Sequence, residues 1–147
     1  MPVIVNSLQE MHALGRSLGE RLQSGDILLL NGTLGAGKTS LVQGIGEALG
    51  ITGITSPTFV ISRIHPGKIP LIHVDAYRLV GEAWALFDDL DLESQTDASI
   101  TVIEWGDGFV ERIADEFLEI KLAFGDDDDQ RILTATPHGD RWQGFEL

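Results

Sequence analysis

The chain contains no cysteine, which excludes disulfides, thiolate metal sites and a cysteine nucleophile. Long apolar runs are missing too. No uninterrupted apolar stretch reaches six of the 147 residues, far short of the ~20 that a membrane-spanning helix needs and of the core of a secretory signal. No membrane association is expected, and the protein is expected in the cytoplasm. Positive charge is scarce as well: 10 Lys and Arg stand against 23 Asp and Glu, a formal net charge of −13. The imbalance is uneven, with four acids and three bases in residues 1–50 but nineteen acids and seven bases in residues 51–147. Binding to nucleic acid rests on a basic patch that neutralises phosphates. No cluster of Lys or Arg occurs here, so any role on RNA is expected to run through a partner.

Two further absences narrow the chemistry. His12, His65, His73 and His138 are scattered without ligand spacing, which argues against a histidine metal site. Neither Lys68 nor Lys121 sits in an N-K-x-D or T-K-x-D tetrapeptide, and no D-x-x-G occurs. Those are the usual marks of a guanine-specific switch protein, so a nucleotide bound here is expected to be ATP.

Against these absences stands LLLNGTLGAGKTSLV, residues 28–42. Residues 32–39 match G-x-x-x-x-G-K-[ST] in full. Glycines let backbone N–H groups turn inward and approach phosphate oxygens where a side chain would block them. The helix that follows adds its positive N-terminal end. The expected nucleotide contacts are Gly32, Gly35, Ala36, Gly37, Lys38, Thr39 and Ser40. Lys38 reaches for the β and γ phosphates, and the Thr39 hydroxyl for Mg²⁺. The apolar strand before the loop and the helical pattern after it supply the context the motif requires.

The rest of the chain reads as one α/β domain spanning 1–147. Ser7 and Glu10 have capping-box spacing, and Leu8, Met11, Leu14, Leu18 and Leu22 follow at helical intervals. TSPTFVISRI reads as a loop and strand, residues 81–93 and FVERIADE as helices, and EFLEIKLAF with RILTATP as a hairpin around the solvated turn GDDDDQ. The last ten residues read as a tail. IPLIHVD and SITVIEW are apolar strands that end in Asp75 and Glu104. Ligands of open α/β sheets bind at such carboxyl ends, and P-loop enzymes place an acidic residue there to hold Mg²⁺ or its waters. His73, two residues before Asp75, shares its side of the strand and is expected to be packed or hydrogen-bonded rather than metal-binding.

G-x-LGAGKT, SPTF at 56–59, H-x-D-x-YRL at 73–79 and IEW at 103–105, in this order and spacing, resemble the bacterial TsaE (YjeE) family. These are small ATPases required for threonylcarbamoyladenosine on tRNA. The resemblance runs from about residue 7 to 136. It implies a three-layer P-loop NTPase-like α/β fold, parallel core strands flanked by antiparallel ones. It also implies ATP and Mg²⁺ as cofactors and TsaD and TsaB as partners, with tRNA reached only through that complex. ATP hydrolysis would support multiple turnover of the partners, weakly in isolation. Carried over by position, Lys38, Asp75, Glu104 and Trp105 form the catalytic set, Thr39 and Glu104 hold the metal, and Arg131 approaches the nucleotide. SPTF becomes a switch-like segment near the γ-phosphate. The family usually has an acid where Thr33 stands and often a Thr where Met11 stands. Two other readings of the P-loop are a small-molecule kinase, against which the shortage of clustered basic residues counts, and a nucleotide-gated binding module.

Overall fold

The computed structural model describes residues 2–32, 35–54, 62–75, 96–104 and 115–147, with backbone alone at 62, 63, 75 and 96. Thr33, SPTF, the helix expected at 81–93, Trp105 and most of FVERIADE lie outside the described residues.

The apolar run before the glycine loop forms β2 (Ile27–Gly32), and Ile27 to Leu30 are buried without a break. A strand with no polar side belongs in the middle of a parallel sheet covered on both faces, and that is where it lies. β2 pairs in parallel with β5 (Ile100–Glu104) on one edge and with β6 (Phe117–Phe124) on the other. β4 (Leu71–Asp75) extends the parallel set beyond β5. Antiparallel strands close both ends: β3 (Ser62–His65) against β4, and β7 (Arg131–His138) against β6 followed by β1 (Val3–Val5). The order is β1-β7-β6-β2-β5-β4-β3. The expected architecture of parallel core strands flanked by antiparallel ones is therefore observed, and so is the β6–β7 hairpin, with Asp126 to Asp129 exposed at its turn.

Period-two alternation sorts the core. Leu28, Leu30, Ile100, Val102, Leu118 and Ile120 join one cluster with residues of the two described α-helices. Ile27, Leu29, Ile72, Val74 and Ile103 have the opposite parity and are buried as well, as strands covered on both faces require. Helix α1 (Leu8–Arg21) starts where the capping box placed it: the Ser7 hydroxyl accepts the Glu10 N–H at 3.1 Å. The Glu10 carboxylate reaches back one residue further than the usual box, accepting the Asn6 N–H at 2.6 Å. Met11, Leu18 and Leu22 are buried as expected, but Leu8, in the first turn, is 69% exposed.

Between α1 and α2 (Lys38–Ala48) the backbones nearly touch. A Cβ on Gly15 would lie 2.4 Å from the Leu41 carbonyl oxygen, and one on Gly44 2.4 Å from that of His12. A Cβ on Gly19 would sit 2.8 Å from that of Ala48. Glycine is needed at these positions because only a bare Cα permits the approach. The helix that begins at the glycine loop is thus seated by a helix from the start of the chain.

The last ten residues, read from the sequence as a tail, fold back onto the domain. Asp140–Trp142 form a 3₁₀ turn, and Trp142, 1% exposed, is part of the core. The Arg141 guanidinium donates to both oxygens of Asp26, at 3.0 and 2.9 Å. Asp26 immediately precedes β2, so the end of the chain is anchored beside its central strand. A lone tryptophan and a lone arginine in a polar stretch carry no periodic signal, which is why the docking was not legible.

Gly44→Ala tests the helix contact. The added methyl improves helix propensity by about 1 kcal/mol, but the carbonyl it meets can retreat only with its whole helix. Overpacking of this kind costs about 1–3 kcal/mol, so a lower urea midpoint is expected. An unchanged or higher midpoint would contradict the backbone contact.

Candidate functional site

The chain leaves β2 at Gly32 and re-enters the described residues at Gly35. Gly35 and Gly37 have φ of 84° and 102°, left-handed conformations that cost other residues energy. Gly37 is the N-cap of α2, and no side chain caps the helix. The first ladder bond runs from the Leu41 N–H to the Gly37 carbonyl at 3.0 Å. The N–H groups of Lys38, Thr39 and Ser40 therefore have no acceptor within their own helix, and they open at its positive end.

Lys38 is buried, 6% exposed, and its ammonium donates to the Gly32 carbonyl at 2.8 Å. The side chain folds across the loop and brings its charge to the end of β2. Ala36 is fully buried, and Thr39 and Ser40 are half-buried in the first turn of α2. Gly35 to Gly37, Lys38 and the uncapped start of α2 together present a positively polarised surface, chemistry suited to a chain of phosphate groups.

Register brings the carboxylates to the same end of the sheet. Leu30 pairs with Glu104, and Glu104 with Asp75, so the three form a row across β2, β5 and β4, two residues short of Gly32. Glu104 is 5% exposed, and its Oε2 lies 2.5 Å from His73 Nε2. His73 pairs in register with Val102, so Glu104 is its diagonal neighbour on the same face. For Asp75 the described backbone gives the register position, and Trp105, the next residue after Glu104, lies outside the described set.

Arg131 comes to the loop from far along the chain. It lines a cleft with Leu8, Met11, Asp129 and the backbone of Gly35 to Gly37. Its guanidinium sits 4.4 Å from the centre of the Phe124 ring and donates to the Asp128 and Gln130 carbonyls at 2.6 and 2.9 Å. Met11 forms the floor: its Cε lies 2.9 Å from where a Cβ on Gly37 would be. Leu8, Phe124 and Asp129 were not expected at the site from the sequence. The available signal was weak, an apolar residue just after a helix cap and an aromatic at the end of a strand. A larger hollow of about 230 Å³ lies between α2 and residues 51–54, away from the loop. His12 there is paired with Gln43 at 3.1 Å, and Gln43 with the Ile54 carbonyl at 2.8 Å.

Residues 5–133 match the family model described as "Threonylcarbamoyl adenosine biosynthesis protein TsaE". The chain belongs to the TsaE family. A TsaE from Streptomyces coelicolor is 48% identical over 139 residues, covering 90% of this chain and 93% of the relative. One from Bacillus subtilis is 36% identical over 138 residues, covering 92% and 84%. Both are named as tRNA threonylcarbamoyladenosine biosynthesis proteins. Among solved structures, the crystal structure of YdiB from Bacillus subtilis superposes with a TM-score of 0.79 at 32% identity, over 97% of this chain and 88% of that one. The family thus ties this chain to threonylcarbamoyladenosine biosynthesis. The matched span includes the glycine loop, Asp75, Glu104 and Arg131. Among the described residues, no helix is long and apolar enough to cross a membrane.

Proposed function

We propose that this chain binds Mg-ATP on residues 32–40 and hydrolyses it to support repeated turnover of a TsaB–TsaD pair that forms threonylcarbamoyladenosine on tRNA. The observation that carries the reading is the juxtaposition of Lys38, held by the Gly32 carbonyl at the uncapped start of α2, with Glu104 in the adjoining strand register.

Backbone N–H groups of the loop and of the first turn of α2 bind the phosphates, and Lys38 exchanges the Gly32 carbonyl for a phosphate oxygen. The donor set fits Mg²⁺, a hard cation that takes one or two protein oxygens and keeps its waters: the Thr39 hydroxyl and the Glu104 carboxylate are the holding residues. When bound, the ion neutralises charge on the β and γ oxygens. Asp75, at the matching position on β4, supplies the second carboxylate, which orients the water that attacks the γ-phosphate or holds a water of the metal. Trp105, the residue after Glu104 in the chain, is the functional aromatic that the family resemblance implies. The cleft lined by Leu8, Met11 and Arg131 takes the base side of the nucleotide.

The family pathway acts on tRNA, yet this chain carries −13 and few bases. It therefore reaches tRNA through its partners, and full activity is expected only in their presence.

Phosphate release from Mg-ATP separates the roles. Glu104→Gln is expected to slow hydrolysis by about 100-fold or more with little change in nucleotide affinity. An unaltered rate would remove Glu104 from the mechanism. Lys38→Ala deletes a charge-assisted hydrogen bond of about 1.5–3 kcal/mol, so affinity for a fluorescent ATP analogue should fall roughly tenfold to a hundredfold. Undiminished binding would contradict the phosphate seat.

A further inference from the structure

We propose that His73 is a positioning residue for Glu104, and that its Nε2–H holds the carboxylate in the rotamer hydrolysis requires. The inference rests on the reading of Glu104 as the carboxylate that serves ATP hydrolysis.

Three observations support it. First, His73 is completely buried and Glu104 nearly so, and each is the other's hydrogen-bonding partner at 2.5 Å. Among the described residues, this contact is the one that orients the Glu104 carboxylate. Second, the contact dictates the tautomer. A carboxylate oxygen at that distance requires a proton on Nε2, which makes Nε2 the donor and Oε2 the acceptor. Third, His73 Nδ1 is buried with no partner among the described residues. Burying an unsatisfied polar nitrogen costs free energy, and an aliphatic residue would fill the same core position without that cost. Packing alone thus gives no reason for an imidazole at this place, whereas donation to Glu104 does.

The geometry also explains the choice of strand position. The bond runs diagonally from β4 to β5, from one residue before Val74 to the last residue of the neighbouring strand. It ties together the carboxyl ends of the two strands that carry Asp75 and Glu104. With Oε2 held by the imidazole, Oε1 is the oxygen left to serve the metal's water shell or the attacking water. Hydrogen bonds of this kind, made to a carboxylate that serves a metal, are typically worth about 10–100-fold in activity or metal affinity.

The test compares His73→Leu, which preserves packing and lacks the N–H, with His73→Gln, whose amide Nε2 offers a donor at similar reach. Phosphate release from Mg-ATP by the full chain is measured together with affinity for a fluorescent ATP analogue, with thermal melting as a check on folding. His73→Leu is expected to lower the hydrolysis rate by about 10–100-fold with affinity and melting little changed. His73→Gln is expected to recover part of that rate. In a Glu104→Gln background, adding His73→Leu should cause no further loss, because the interaction is already compromised. A His73→Leu protein that hydrolyses at the wild-type rate while Glu104→Gln is impaired would overturn the role of His73 and leave that of Glu104 standing. Equal losses of rate and affinity in both His73 variants would show a structural role instead and overturn it too. If Glu104→Gln itself hydrolyses normally, the function reading fails, and the His73 proposal with it.

Discussion

Parallel pairing of β2 with β5 sets Leu30 opposite Glu104 and leaves Gly32 two residues further on, where the strand becomes the glycine loop. Every other feature of the site depends on that register. A slip of one residue would turn Glu104 to the opposite face of the sheet, away from α2, and would break its bond to His73. The register is well specified because residues Ile27 to Leu30 of β2 and all of β5 are buried on both faces, so a slipped pairing would mismatch two cores at once. The same ladder carries the row on to Asp75 through β4.

Two further contacts hold this framework in place. On one side, α2 packs against α1 through Gly15, Gly19 and Gly44, which fixes the axis of the helix whose first turn presents Lys38, Thr39 and Ser40. On the other, Arg141 holds Asp26 at the root of β2 through two parallel hydrogen bonds, the bidentate geometry that arginine forms best with a carboxylate. The Gln23 N–H adds a bond to the same carboxylate at 2.8 Å. The start of the chain and its end therefore converge on the strand that leads into the glycine loop. This convergence gives a small protein a rigid base for a loop built largely of glycine.

Local patterns and spacings were readable in the sequence; long-range contacts were not. The glycine loop, its strand and helix, the α1 cap at Ser7 and the β6–β7 hairpin all follow from residues within a few positions of each other. Two apolar strands ending in acids were enough to place Asp75 and Glu104 at one end of a sheet. The partner of His73 was not legible, because which strand lies beside β4 is a matter of topology rather than pattern. Arg131 entered only through family resemblance, and the structure brings it to the loop through the hairpin. Leu8 fitted the helical periodicity yet is exposed beside the cleft. Periodicity identifies the face of a helix, while burial at its first turn depends on what packs there. Trp142 shows the converse, a core residue in a segment with no pattern at all.

For an acidic chain tied by family to a tRNA modification, the proposed role is that of a subunit that uses nucleotide chemistry to act on its partners rather than on RNA. The most direct measurement is threonylcarbamoyladenosine formed on tRNA by TsaB and TsaD over many turnovers, with the wild-type chain, with its Lys38→Ala variant and without either. Product is expected to exceed the amount of TsaD only with the wild-type chain and ATP. Equal multiple-turnover yield with Lys38→Ala, or with no chain added, would contradict the role assigned to the P-loop.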